Sequence, residues 1–300
     1  MKPFDLSTAP VQVFDTETLR NRLHIARPKR TNMQETAHHF SEMIDHLLYD
    51  VGNVMPEEAI RLAPRWAVEG IILIVPPTGK GLLHLHDTID EFFDYRGERA
   101  TSLVVASPGC SALGAAAFAR NIANATGEPV AAVLPRYAIG DVATEALGGL
   151  MQIAAKTPLG GLLRAAFTGR RRAPKPETLE SSHDTAMIQA LLTDYRMSFD
   201  LIVGHHRGNA VLAHALTAMN ARAPRQTERV GMTTSVVTFG TPAALPLPFD
   251  HVVRVVGEHD RHAPPGLADH IVSGAGHHTN RALRGHLPVT QTLKTVLGIA

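Results

Sequence analysis

The chain has one cysteine, Cys110, in 300 residues. An intramolecular disulfide is therefore impossible, and so is a zinc knuckle built from several thiolates. Neither sign of charge dominates: 29 Lys and Arg face 28 Asp and Glu, a formal net charge of +1. That excludes the strongly basic footprint of an electrostatic nucleic-acid binder. No apolar run approaches the ~18 residues of a membrane-spanning helix, and Met1-Lys2-Pro3-Phe4-Asp5 lacks the apolar core of a signal peptide. A soluble, cytoplasmic protein without integral membrane association is expected. Tryptophan occurs once and tyrosine four times, whereas histidine occurs 17 times. That histidine surplus is the unusual feature of the composition. Hydrophobic residues at 44% against charged residues at 19% provide for a sizeable buried core.

Residues 1–65 read as an amino-terminal helical extension. Phe40, Met43, Ile44, Leu47 and Leu48 recur with helical spacing, and Pro56-Glu57-Glu58 opens a second short helix. From residue 66 to 300 the period changes. Ile71 to Val75, Ser102 to Ala106 and Pro129 to Leu134 are short β-branched runs, the last two separated by an alanine-rich helix from Ala112 to Ala125. Strand, helix and strand within about 30 residues imply a right-handed parallel crossover. Residues 137–182 interrupt the rhythm, with Gly148-Gly149, Gly160-Gly161 and a basic run Arg170 to Pro176, and read as a helical cap insertion. A helix from about Asp184 to Tyr195 returns the chain to the core. Then follow a strand Asp200–Val203, a helix Asn209–Asn220, strands Ser235–Phe239 and His251–Val256, a short strand near Ile271 and a closing helix from Pro288. The expected class is α/β, with a mostly parallel central sheet flanked by helices and a ligand site beyond the carboxyl ends of the strands.

The chemistry centres on Gly204-His205-His206-Arg207-Gly208. Glycines two residues either side of His206, between a strand and a helix, permit a sharp turn that lifts the central residue above the sheet. Further on, Val236 to Pro242 is a strand and turn. His251 to Pro264 holds a strand and, beyond its end, Asp260, and Gly274-Ala275-Gly276-His277-His278 is a glycine-rich loop bearing histidine. In pattern and order these segments resemble the α/β-hydrolase fold, most closely class-3 lipase- and esterase-like bacterial hydrolases. The resemblance spans residues 66–300. It implies a nucleophile elbow at residue 206, with His206 where the family has serine, and a triad completed by Asp260 and His277. It also implies an oxyanion hole from the backbone N–H groups of Cys110 and Arg207. Gly109, Ser111 and His205 flank these positions and are expected to contact the ligand, a small molecule of acyl or ester-like type. No cofactor is expected.

Replacing the attacking hydroxyl by imidazole leaves three readings. In the first the chain is a pseudo-hydrolase, which binds an acyl or ester-like ligand or a partner but forms no acyl-enzyme. In the second it is an active hydrolase on an ester, amide or thioester. His206 is then the nucleophile, or part of a general-base pair with His277. In the third, His206, His277 and Asp260 hold a metal, against which stands the linear arrangement of hydrolase triads. Elsewhere, Thr78-Gly79-Lys80-Gly81 lacks the spacing of a phosphate loop and reads as a turn. His84 and His86 read as the polar face of a strand or as a loop. His38-His39 reads as a solvated helix face, His278 as a residue beside the working histidine, and Cys110 as a small buried side chain.

Overall fold

Eight short strands build one sheet in the computed structural model, which describes residues 45–62, 71–108, 110–134, 182–261, 263 and 265–299. The strands are β1 (Ile71–Val75), β2 (His84–His86), β3 (Ser102–Val105) and β4 (Val130–Leu134), then β5 (Leu201–His205), β6 (Ser235–Phe239), β7 (Val252–Gly257) and β8 (His270–Val272). Their order is β2-β1-β4-β3-β5-β6-β7-β8. β1 runs antiparallel to both its neighbours, and every other pairing between strands is parallel. This is a mostly parallel α/β fold. The expected cap lies outside the described residues but for its last position, as does most of the expected amino-terminal helix.

Both faces of the sheet are covered, which is why the strands read as continuous apolar runs instead of alternating apolar and polar residues. Successive side chains go to opposite faces. Ile71, Leu73, Val75, Val104, Leu201, Val203, Val237 and Phe239 enter one core. Ile72, Ile74, Leu103, Val105, Ile202 and Val236 enter the other. In chain order the helices are α1 (Pro56–Leu62), α2 (Ile89–Asp94), α3 (Ala112–Thr126), α4 (Ser182–Thr193), α5 (Gly208–Arg222), α6 (Pro224–Thr233) and α7 (Val289–Leu297). Helices α1, α3 and α7 build the first core; α2, α4 and α5 build the second. No helix among the described residues is long and apolar enough to cross a membrane.

Helix α3 shows how local sequence sets an element. Ser111 caps its start by accepting the Leu113 N–H, and Gly127 ends it in the left-handed conformation at φ 79°. Small alanines along α3 let it lie close on the sheet, and all of them are buried. From Asp45 onward the segment read as an extension packs into the same core, through Leu48, Tyr49, Val51, Val54, Ala59 and Leu62. Glu58 of α1 anchors it further. Its carboxylate lies 2.6 Å from Nη2 of Arg120 in α3, with both side chains at most 1% exposed. The same carboxylate accepts the N–H groups of Met55 and Leu83. Two helices were not anticipated. α2 begins at Thr88, whose hydroxyl accepts the Glu91 N–H, and α6 opens at Pro224 just after α5 ends. Residues 78–80 form the expected turn, closed by the Lys80 N–H on Pro77 O at 3.0 Å. His84 and His86 pair with β1 as a strand at one edge of the sheet.

Candidate active site

Strand β5 runs straight into α5 through a two-residue turn, and the residue at its crest is His206, at φ 49°. A non-glycine residue in that left-handed region costs on the order of 1–3 kcal/mol and persists only where its surroundings enforce it. Two close approaches enforce it here. A Cβ on Gly204 would sit 2.2 Å from Oδ1 of Asn209. One on Gly208 would sit 2.5 Å from the Ala106 carbonyl and 2.6 Å from that of Val105. Only glycine lets α5 start this close to β3. The turn is then tied to its neighbours: the His206 N–H donates to Phe239 O at 2.9 Å, and the Asn209 amide donates to Phe239 O and Thr241 O at 3.0 and 2.7 Å.

The acid and the histidine come from the ends of β7 and β8. Gly257 permits the approach, because a Cβ there would lie 2.4 Å from Gly276 O and 2.6 Å from Ala275 O. The His259 N–H donates to Ala275 O at 2.8 Å. The Glu258 carboxylate accepts the Gly274 N–H at 2.7 Å and the Ser273 hydroxyl at 2.9 Å. With the two loops stapled, Nδ1 of His277 lies 2.9 Å from Oδ2 of Asp260, both side chains buried. The His277 ring meets the His206 ring edge to face, with centroids 4.3 Å apart and planes 77° apart.

The structure thus brings His206, His277 and Asp260 together from three strand ends. They form a line, carboxylate to imidazole to imidazole. The carboxylate engages the outer nitrogen of His277 and does not converge with both rings on one point. Among the described residues no group of three or more His, Cys, Asp or Glu is placed to hold a metal ion. A carboxylate bonded to Nδ1 orients a histidine so that its other nitrogen exchanges a proton with whatever stands on the elbow.

The loop after β3 carries Cys110 and Ser111. The Cys110 N–H donates to Ser107 O at 3.3 Å, inside its own turn, and its side chain is buried. Gly109 lies outside the described residues. The Ser111 N–H is directed at both carboxylate oxygens of Asp45, at 3.1 and 3.2 Å, and the Ser111 hydroxyl also donates to that carboxylate. Arg207 follows His206 in helical conformation, and its carbonyl accepts the N–H groups of Ala210 and Val211 in the first turn of α5. His205 is buried beneath the elbow, 3.0 Å from the Tyr49 hydroxyl through Nδ1. Burial, then repulsion from His277, pushes its pKa down to about 3, with Asp260 acting in the opposite direction. His278 is half-buried beside the site, its pKa lowered chiefly by burial and next by His286.

Asp45 and Tyr49 were not singled out from the sequence. They lie far up the chain from the strand ends they touch, and neither belongs to a local motif. One mark of them is Gly114, a glycine in an otherwise alanine-rich helix. A Cβ there would lie 2.1 Å from Oδ1 of Asp45, the close approach that an isolated helical glycine signals.

Comparison of the chain with family models, with curated proteins and with solved structures finds no match.

Proposed function

We propose that the chain is a degenerate α/β-hydrolase of lipase or esterase type, a pseudo-hydrolase that binds a small acyl or ester-like ligand without forming an acyl-enzyme. One observation carries the reading: an imidazole, His206, occupies the positive-φ crest of a strand–turn–helix elbow, in contact with a histidine held by a buried carboxylate. The fold has kept the costly backbone of a nucleophile elbow and the acid–histidine pair beside it, while the attacking hydroxyl is gone.

The 4.3 Å ring contact favours a second reading. His277, oriented by Asp260, would take the proton of His206 as the imidazole attacks an activated ester. The alcohol would leave with a proton from His277, and water would cleave the acyl-imidazole to the free acid. Short-chain p-nitrophenyl esters separate the two. Under the first reading the wild type matches the buffer blank and His206→Ser hydrolyses the esters. Turnover by wild type that His206→Ala abolishes would establish the second reading and overturn the first.

A further inference from the structure

His277 has a second imidazole beside it. The His205 ring lies nearly parallel to that of His277, with planes 28° apart and centroids 6.1 Å apart, and its centroid is 6.3 Å from that of His206. His205 is itself enclosed by Phe118 of α3 at 4.7 Å and Tyr49 at 5.2 Å between ring centroids. The Tyr49 hydroxyl reaches Nδ1 of His205 at 3.0 Å. Tyr49 is fixed in turn by its N–H on Asp45 O at 2.8 Å. Its neighbour Leu48 presents a carbonyl that accepts both the N–H and the hydroxyl of Thr279, two residues beyond His277. One turn of the amino-terminal segment therefore grips the histidine loop by its backbone and reaches the ring beside His277 through a side chain.

We propose that Tyr49 is a positioning residue for His277, acting through the ring of His205. The inference rests on reading His206, His277 and Asp260 as the remnant of a catalytic centre. Phenylalanine would fill the space against Phe118 equally well, so packing alone does not call for the hydroxyl. An imidazole in a dry pocket has two faces of nearly equal shape, and a hydrogen bond to one nitrogen decides which way the ring stands. With His205 held in that orientation, and neutral because it is buried, an uncharged ring stands beside His277 while Asp260 holds its Nδ1.

The experiment compares wild type with Tyr49→Phe, His205→Phe and the double variant. Imidazole nitrogen–proton NMR spectra follow His277 across a pH titration, and ester hydrolysis is measured in the His206→Ser background. Tyr49→Phe is expected to move the His277 resonances and titration midpoint. It is also expected to lower kcat about tenfold with KM little changed, as small misplacements of a working group do. His205→Phe should do the same, and the double variant should be no worse than either single one, since both act along one path. His277 resonances and midpoint unchanged by Tyr49→Phe would overturn the proposal, and so would additive effects in the double variant. If His206→Ser itself hydrolyses nothing, the pseudo-hydrolase reading fails, and the NMR comparison still decides the role of Tyr49.

Discussion

Tyr49 and His205 stand 156 positions apart in the chain, and their side chains meet at 3.0 Å in the interior. The pairing makes the amino-terminal segment part of the candidate site, and it encloses an imidazole that has no access to solvent.

His205 gives the protein an acid-sensitive term in its stability. Its folded pKa is about 3, against an ordinary value of 6.5, so the unfolded chain takes up a proton that the folded protein refuses. Stability is therefore full above about pH 6.5 and is lost as pH falls through the window down to about 3, by up to about 1.4 kcal/mol per pH unit. His86 and His278, whose pKa values are also lowered by burial, act with the same sign. Asp50, raised by burial, acts against them. Urea denaturation at neutral pH and again near pH 5 should show a marked loss for wild type and a smaller one for His205→Asn. Equal losses in the two proteins would remove His205 from the account.

Asp260 orients His277 through a buried 2.9 Å bond. In the His206→Ser background, Asp260→Asn should reduce ester hydrolysis by about three to four powers of ten, the usual effect of losing the carboxylate that sets a catalytic histidine's tautomer. Steady-state kinetics provide the check; a loss under tenfold would mean that Asp260 is a packing residue.

Gly208 should tolerate no side chain, since a Cβ there would run into the backbone carbonyls of Val105, the last residue of β3, and Ala106. Gly208→Ala is expected to cost about 1–3 kcal/mol of unfolding free energy, the range for overpacking a close contact. Gly266→Ala, where an added Cβ meets nothing within 4 Å, should stay within roughly 0.5 kcal/mol of wild type. Denaturant titration of the two variants side by side tests the difference.

The elbow was legible in the sequence because its constraint is local: two glycines flank one residue between an apolar run and a helix, and both are needed at the contacts they make. The same holds for Asp260 and His277, each a few residues past the end of an apolar run. The reversed direction of β1 was not legible, because a five-residue run of Ile, Leu and Val reads alike in either direction. Helix α6 was missed for a related reason. It is polar and lies on α5, so little in it repeats with apolar spacing. Asp45 and Tyr49 were hidden because their partners, Ser111 and His205, are set by the closure of the whole fold.

In the proposed function residue 206 stands where a nucleophile would attack, within reach of His277. Labelling with a fluorophosphonate probe, read by mass spectrometry of the digested protein, tests this most directly. Wild type should carry no adduct, His206→Ser a stoichiometric adduct at position 206, and that adduct should be lost when His277→Ala is added. A serine variant that stays unlabelled, or labels independently of His277, would contradict the proposed function.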